Sequence, residues 1–406
     1  MDDDRNVLLV VTMDTKGDLA GFVESCLEAA GVRTLIIDAG IMGECDRRVE
    51  VSREEVARAA GTTLEAVRSI GHEGKALGEM IRGAIACSQE IVKQGNVRGV
   101  MGIGGSMGTT LGTAVMRRFP FGFPKLMVTT MASRDTRSFV GTRDILMLHS
   151  VCDLSGLNRA TRTVLGNGAA AMAGIVRYKK PLQDERKPLV VLSTLGTTET
   201  CAVRVRAKLE SKGYEVVVFH TVGSGGEAMD ELIREHSVVA AVDLSLHELT
   251  DNRFGGDYNA GPDRGRAAME KGIPTLLIPG NTDFIVTGTL KRAKKKFPGR
   301  TSHSHNTAIT TIRTSGEELK AIGRVVGELC NQARGPVEIL IPQKGLSAFD
   351  HPNGPMYDPE GPGSFIQGLE GVLGNPRAVH KMPAHVNDEA FSNAVVEAFD
   401  RVMAGK

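Results

Sequence analysis

A glycine-rich segment at residues 102–110 (GIGGSMGTT) contains the residue types that bind phosphate groups. It lies between an apolar run typical of a buried strand and a pattern typical of a helix. Gly104, Gly105 and Gly108 would let the backbone approach a ligand closely, and the positive end of the helix dipole favours an anion there. Its hydroxyl donors are Ser106, Thr109 and Thr110. We predict a phosphate-binding loop; the alternative is a tight strand-to-helix turn that binds nothing.

Polar residues also follow the other apolar runs of the N-terminal half, where the carboxyl ends of parallel strands would gather them. The candidates for nucleotide binding outside the glycine-rich segment are Asp14, Lys16, Thr129, Thr130, Asp153 and Asn158. Lys16 would neutralise phosphate charge, and Asp14 or Asp153 would contact the water ligands of a magnesium ion that bridges the phosphates. For Asp153 and Asn158 the alternative is helix capping.

The C-terminal half has its candidate chemistry in loops that are rich in His, Asp and Asn. The candidate catalytic residues are His303, His305 and His385, because histidine exchanges protons near neutral pH. The candidate substrate-binding residues are Arg264, Asn306 and Arg313. Two alternatives remain open. His303 and His305 could ligate a metal ion together with Asp350, His351 or His385, and His385 could instead serve to cap the last helix.

A repeat positions these residues, since residues 7–43 and 189–225 align without a gap. Each copy has an apolar run, a Thr-rich turn, a helical stretch, a glycine, a second apolar run and a glycine-containing loop. That order predicts a β-α-β unit with parallel strands. The second copy has Thr198 at the position of Lys16 and is not followed by a glycine-rich segment. We therefore expect one half to hold an anion and the other to recognise a substrate.

The repeat predicts an α/β protein with two Rossmann-like domains, residues 1–180 and 181–406. Each domain would have a parallel sheet, and a cleft would lie between the domains. The boundary falls in a charged stretch bounded by prolines at residues 177–188.

Smaller elements can be predicted from local patterns. An insert at residues 44–95 is predicted to be helical, with capping boxes at residues 52–55 and 62–65. Residues 12–18 are predicted to form a turn before the first helix. The sequence SLHEL after the apolar run 238–244 is predicted to be a turn as well.

Composition limits the possible partners and compartments. The 406-residue chain is 41% hydrophobic and has 48 glycines and a net charge of +1, so nothing favours a nucleic acid or a membrane surface as partner. No apolar run is long enough for a membrane span and no signal peptide is recognisable, which predicts a cytoplasmic protein. The six cysteines are scattered without a CxxC motif, as expected of reduced thiols.

Motifs along the whole chain resemble those of a known family. They lie at residues 12–17, 102–109, 124–132, 150–158, 261–264, 305–306 and 387–389. In these the chain resembles the uncharacterised two-domain family that includes the ATP-binding N-terminal region of the plant tobamovirus-resistance protein. The resemblance implies two Rossmann-like domains, ATP binding and a homodimer, and no settled enzymatic activity.

The chain departs from the family pattern at three places. It has Arg134 where Gly is expected, Thr307 where Pro is usual, and SLH at residues 245–247 where a run of Thr is usual. The last two put the ligand pocket of the second domain in doubt. The plant members also carry a C-terminal barrel domain, which implies a separately encoded partner for this chain.

Three functions are consistent with these observations. The first is a cytoplasmic ATP- or nucleotide-binding enzyme of small-molecule metabolism, with its site in the interdomain cleft and ATP, with or without magnesium, as cofactor. The second is a metal-dependent hydrolase or lyase of a phosphorylated or carboxylated metabolite. The third is a non-catalytic binding module that nucleotide regulates. No haem, flavin or iron–sulfur cluster is expected.

Overall fold

Two parallel β-sheets, one in each half of the chain, form the framework of the structure, which is a computed structural model. The structure describes residues 6–43, 47–95, 97–178 and 187–405. The chain divides into two compact units, Met1–Gln183 and Asp184–Lys406, here called the N-terminal and C-terminal domains. The predicted boundary between residues 180 and 181 lies outside the described residues. The cleft between the domains stays a prediction.

The N-terminal domain has a five-stranded parallel sheet with helices on both faces. Its elements are β1 (Asn6–Val11), α1 (Met13–Ala29), β2 (Arg33–Asp38), α2 (Arg53–Ala59), α3 (Leu64–Ser69), α4 (Glu73–Lys93), β3 (Val97–Gly104), α5 (Ser106–Met116), β4 (Lys125–Thr129), α6 (Arg137–Val140), β5 (Leu146–His149) and α7 (Arg159–Tyr178). The strand order is β2-β1-β3-β4-β5, and every neighbouring pair is parallel.

The first strand shows why its sequence is apolar throughout. Val7, Leu9 and Val11 pack into a core with α1 and α7. Leu8 and Val10, on the other face, pack into a core with the helices of the insert and α5. Both faces of a sheet covered by helices must be apolar, so such strands read as continuous hydrophobic runs.

The C-terminal domain has a six-stranded parallel sheet and a small antiparallel one. Its elements are β6 (Leu189–Thr194), α8 (Glu199–Ser211), β7 (Glu215–His220), α9 (Ser224–Glu235), β8 (Val238–Ser245), α10 (His247–Phe254), α11 (Arg266–Lys271), β9 (Thr275–Gly280), β10 (Phe284–Thr287), α12 (Leu290–Lys296), β11 (Ser302–Ser304), β12 (Thr310–Arg313), α13 (Gly316–Cys330), β13 (Val337–Pro342), α14 (Gly361–Glu370), β14 (Val379–Met382) and α15 (Glu389–Ala404). The sheet orders are β7-β6-β8-β9-β13-β14 and β10-β12-β11.

The two predicted β-α-β units form β1-α1-β2 and β6-α8-β7, and the sheets around them have the same order. In both sheets the domain's second strand lies on one side of its first strand and its third strand on the other. Gly31 and Gly213, which align in the repeat, follow the helix ends with positive φ angles of 72° and 92°. Only glycine adopts that conformation without strain, so it ends both helices. The predicted fold class is confirmed.

Several local predictions were wrong by a turn or a residue. Residues 13–18 are helical, because α1 begins at Met13, whose N–H donates to Asp38 Oδ1 at 3.0 Å. The capping box at Ser52 is present. The next N-cap is Thr63 instead of Thr62, and it accepts a hydrogen bond from the Ala66 N–H. The predicted turn after β8 is the start of α10.

Two general predictions can be compared with the described residues. None of their helices is both long and apolar enough to span a membrane. Five cysteines lie within them, and all are free thiols. Cys45 lies outside the described residues.

Candidate functional site

A cavity of about 550 Å³, here called the large cavity, lies at the carboxyl ends of the first strands of the N-terminal domain. It is bordered by Thr12 after β1, Ala39 after β2 and Gly104 at the end of β3. Since β2 and β3 lie on opposite sides of β1, this is the switch point of the sheet, where doubly wound proteins bind ligands. Its volume is typical of small-molecule sites.

The three glycines of the predicted phosphate loop have different roles. A Cβ atom on Gly104 would lie 2.6 Å from Gly108 Cα, and one on Gly108 would lie 3.1 Å from the Ile103 carbonyl oxygen. These two glycines therefore let β3 and α5 pack closely. A Cβ on Gly105 would have Thr130 Oγ1, at 3.9 Å, as its only described neighbour within 4 Å. Packing does not require a glycine there, and Gly105 lines the large cavity.

The start of α5 presents unused backbone donors to the large cavity. Gly105 is the N-cap and has no side chain to cap the helix. The first helical hydrogen bond runs from the Thr109 N–H to the Gly105 carbonyl oxygen, at 2.8 Å. The N–H groups of residues 106–108 are therefore not used by the helix itself, and these residues line the cavity. Thr12, the N-cap of α1, also makes no side-chain cap.

Asp14 and Lys16 both line the large cavity but differ in their bonds. Asp14 Oδ2 accepts hydrogen bonds from the N–H groups of Ile41, at 3.1 Å, and Met42, at 2.9 Å. Asp14 Oδ1 is shielded from solvent and has no hydrogen-bond partner among the described residues. Lys16 is half-buried and forms no ion pair with any described residue. Asp14 therefore fixes the cavity wall, and Lys16 supplies a positive charge.

Asp38 and Arg53 complete the support of the loop after β2. Asp38 Oδ1 accepts the N–H of Gly40 at 2.8 Å as well as that of Met13. Burial raises the pKa of Asp38, and these two hydrogen bonds act against the rise. Arg53 Nη1 donates to the carbonyl oxygens of Met42 and Gly43 at 2.6 and 2.8 Å. The loop is thus held at both ends by buried polar side chains.

The loop after β2 and the helical insert supply an apolar wall that the sequence patterns did not reveal as part of a candidate site. It consists of Ile41, Met42, Val67, Ala76 and Leu77, together with Met107 from α5. Arg68, His72 and Glu73 also line the cavity. The capping boxes predicted only that helices exist here, because which of their faces meets β1 and β3 depends on tertiary packing. No sequence signal could have identified this wall.

The remaining candidates of the N-terminal half do not line the large cavity. Thr109 Oγ1 and Thr129 Oγ1 are 2.6 Å apart, and both residues are buried. Thr110 donates to the Ser106 carbonyl oxygen. Asn158 Oδ1 accepts the N–H of Thr161 at 3.0 Å, which is the capping bond named as its alternative. Thr130 and Asp153 lie in the loops after β4 and β5, and Asp153 is exposed.

Arg264, a candidate for substrate binding, is 2% exposed and bound inside the C-terminal domain. Its guanidinium donates to both oxygens of Asp243, at 2.7 and 2.8 Å, and to Glu248 Oε2 at 2.7 Å. Burial opposes its charge, but the two carboxylates raise the pKa of Arg264 well above its ordinary value. In this arrangement the side chain is occupied by the domain's own acids.

Arg313 lies among three aspartates after β9 and β13. Its guanidinium is 3.5 Å from Asp283 Oδ2, 3.8 Å from Asp350 Oδ1 and 3.4 Å from Asp358 Oδ2. Asp283 also accepts a hydrogen bond from Ser347 Oγ at 2.6 Å. Burial, and then the charge of Asp350, raise the pKa of Asp283 to about 7. One arginine thus compensates several buried or half-buried acids.

The three candidate catalytic histidines contact one loop, residues 345–351. The rings of His303 and His305 lie 4.9 and 6.4 Å from that of Phe349. His385 Nε2 lies 2.9 Å from the Ser347 carbonyl oxygen, and its Nδ1 accepts the N–H of residue 387 at 3.1 Å. Both nitrogens of His385 are therefore occupied. Asn306 Oδ1 accepts two N–H groups of its own turn.

The arrangement of these loops does not support metal ligation. Among the residues that the structure describes, no group of three or more His, Cys, Asp or Glu side chains is arranged to hold a metal ion. The rings of His351 and His385 lie 6.4 Å apart and meet edge to face.

The C-terminal counterpart of the large cavity is filled by side chains. β8 is followed by one residue, Leu246, and then by α10, as β3 is followed by Gly105 and α5. Asn281 Nδ2 donates to Thr198 Oγ1 at 3.0 Å and to Ser245 Oγ at 2.9 Å. The backbone carbonyl oxygen of Asn281 lies 2.9 Å from His247 Nδ1. These side chains are all buried, so the strand ends form a closed polar network.

Comparison with known proteins places the chain in a family. The N- and C-terminal domain models of the uncharacterised protein family UPF0261 match residues 5–181 and 187–403. A UPF0261 protein from Clostridium tetani is 34% identical over 400 residues, which cover 98% of this chain and 99% of that protein. The ToMV resistance protein Tm-1(GCR237) from Solanum lycopersicum is 35% identical over 311 residues, which cover 75% of this chain and 41% of that protein.

Among solved structures, a putative UDP-N-acetylglucosamine 2-epimerase from Listeria monocytogenes is similar with a TM-score of 0.24 and 12% identity. The match covers 67% of this chain and 78% of that chain, and it carries no conclusion about function. The family matches agree with the resemblance stated from the motifs. Because they span both domains, the chain belongs to the uncharacterised protein family UPF0261.

Proposed function

We propose that the N-terminal domain binds ATP or a related nucleotide in the large cavity. The supporting observation is that one cavity has two chemically different walls at the switch point of the sheet. The apolar wall, with Ile41, Val67 and Leu77, suits a flat nucleobase. The N–H groups of residues 106–108 and the Lys16 ammonium suit phosphates, because helix starts and cations bind anions.

A magnesium ion on the phosphates fits the polar side of the same cavity. Magnesium keeps several water ligands and is commonly held by nucleotide phosphates and one or two carboxylates. Asp14 is a carboxylate that lines this cavity, so it is the candidate to accept a hydrogen bond from such a water. Asp153 does not line the cavity, which favours Asp14 of the two candidates.

Isothermal titration with ATP and magnesium tests the proposal. The wild type should bind, and Gly105→Val should not, because the valine side chain would occupy the space where phosphate approaches the backbone. The substitution has room in the fold, since its Cβ would meet only Thr130 Oγ1, at 3.9 Å.

The matched control is Gly196→Val, at an exposed glycine of the C-terminal domain where a Cβ meets no atom within 4 Å. It should bind ATP like the wild type. Absence of heat with the wild type, or equal affinity in Gly105→Val, would reject the nucleotide site.

The nucleotide would serve either catalysis or regulation. We favour an enzyme of small-molecule metabolism. A regulated, non-catalytic binding module is the second candidate, and the 35% identity to a plant resistance protein supports it. Measurement of ATP consumption in the presence of pooled metabolites separates the two, since a module of the second kind would bind ATP without consuming it.

A further inference from the structure

The first turns of α1 also line a second cavity of about 360 Å³, here called the small cavity. Asp14, Thr15 and Lys16 line both cavities. The small cavity extends from these residues to Arg47 and to Ser155 and Gly156 in the loop after β5. One short stretch of chain therefore borders two separate spaces.

The small cavity is polar where the large one is apolar. Lys16, Asp18, Arg47 and Ser155 contribute charged groups and a hydroxyl group, and its apolar lining residues, Met13 and Leu19, are almost fully buried. It lacks the apolar wall against which a nucleobase would pack. A small polar molecule is the kind of ligand that this lining suits.

Two acids and two cations line the small cavity. Asp18 and Arg47 lie 3.9 Å apart as an ion pair whose acid is 85% exposed, so water screens its charge, and Asp14 accepts two backbone hydrogen bonds. Lys16 is half-buried and has no ion pair with a described residue. An oxyanion is the chemical group that would pair with this ammonium, with the Ser155 and Thr15 hydroxyls near it.

The loop that carries Ser155 and Gly156 is held in an unusual conformation. Val151, at its start, has a φ of +66°, which β-branched residues rarely adopt. Ser150 Oγ donates to the Cys152 carbonyl oxygen at 2.7 Å, and Leu154 is buried in the core. Packing thus fixes the wall of the small cavity despite backbone strain, as at many binding sites.

We propose that the small cavity binds a second ligand, a small metabolite with a carboxylate or a phosphate group, beside the phosphates of the nucleotide. The identity of the neighbouring ligand rests on the proposed function. Lys16, which lines both cavities, would contact both anions. A nucleotide-regulated module needs only the large cavity, whereas an enzyme with two substrates needs a second compartment next to the first.

Titration of the nucleotide-free protein with inorganic phosphate, and separately with succinate, tests this proposal. At least one probe should bind, and Gly156→Val should weaken it about tenfold or more. A Cβ on Gly156 meets no atom within 4 Å, so the valine fits the fold and fills the cavity. Ser155→Val, at an exposed position, should have the same effect. Gly166→Val, on α7 with equal room, is the matched control.

The outcomes separate this proposal from the nucleotide site. Binding of phosphate alone indicates a phosphorylated metabolite, and binding of succinate indicates a carboxylate. A probe that is lost in Gly105→Val and retained in Gly156→Val binds in the large cavity, which would overturn the proposal, as would no binding of either probe up to roughly 10 mM. If Gly156→Val abolishes probe binding and the wild type does not bind ATP, the nucleotide function alone fails.

Discussion

The two domains end their sheets in opposite ways. In the N-terminal domain the ends of β1, β2 and β3 border an open cavity of about 550 Å³. In the C-terminal domain the corresponding ends of β6 and β8 are joined by a buried network around Asn281. The order of the first five strands is the same in both parallel sheets, and the C-terminal sheet has a sixth strand at its edge. A shared strand order is therefore compatible with an open cavity in one domain and a closed end in the other.

Equivalent positions in the two domains show which side chains differ. Lys16 aligns with Thr198, and Gly104 occupies the last position of its strand as Ser245 does. Lys16 and Gly104 line a cavity, whereas Thr198 and Ser245 both accept hydrogen bonds from the Asn281 amide. A cation and a missing side chain leave room for an anion. Two hydroxyl groups instead provide partners for a buried amide.

Removal of the Asn281 amide should have the largest effect on this difference between the domains, because it disrupts the closed network of the C-terminal domain. Asn281→Ala removes the two amide hydrogen bonds that the buried hydroxyl groups of Thr198 and Ser245 accept, and it puts alanine at a φ of +61°. We expect a loss of about 4 kcal/mol in the free energy of unfolding of the C-terminal domain. Urea unfolding followed by circular dichroism measures it.

Asn306→Ala is the matched control. Asn306 accepts hydrogen bonds only from its own exposed turn, so its loss should cost about 1 kcal/mol or less. Equal losses in the two variants would show that the network does not hold the strand ends together.

The closed end should also make the stability of the C-terminal domain depend on pH. Asp283 follows Asn281 and has a pKa raised to about 7 by burial and by Asp350, whereas an unfolded aspartate has a value of 3.8. Between these values the folded state binds the proton and the unfolded state does not, so stability falls as the pH rises. The slope is at most about 1.4 kcal/mol per pH unit.

Asp283→Asn removes this titration and keeps an oxygen that can accept the Ser347 hydroxyl. We expect the variant to gain stability relative to the wild type as the pH rises from 4 to 7, and no further gain above 7. Thermal unfolding at a series of pH values measures it. Parallel curves for the two proteins would mean that Asp283 is ionised in the folded state throughout.

Local patterns predicted the scaffold but only part of the site. The apolar runs and Gly31 define β1-α1-β2 because both faces of the sheet are buried and only glycine ends that helix without strain. Lys16 and the glycine-rich segment could be predicted as candidates because residues that follow parallel strands gather at one edge of the sheet. The apolar wall, with Val67 and Leu77, comes from an insert whose packing depends on contacts far apart in sequence.

Dependence on distant contacts also explains why some predicted site residues have side chains that are already bound within the protein. Arg264 and His385 carry groups that could serve a substrate, but the fold pairs them with Asp243, Glu248 and the Ser347 carbonyl. Those partners are separated from them by 16 to 38 residues. A sequence pattern shows which groups are present, and only the tertiary structure shows which of them are already paired.

The smallest expected effect is that of substituting Lys16. It tests whether charge distinguishes the open cavity of the N-terminal domain from the closed strand ends of the C-terminal domain. Lys16→Gln removes the positive charge and so makes this position neutral, like the aligned Thr198. We expect ATP affinity to fall about fivefold, whereas adenosine, which has no phosphates, should bind as before. Lys16→Arg should retain most of the ATP affinity because it keeps the charge. Isothermal titration at constant ionic strength measures all three proteins. If adenosine loses as much affinity as ATP, Lys16 contributes to the cavity wall and does not contact phosphate, and the open end differs from the closed one in shape alone.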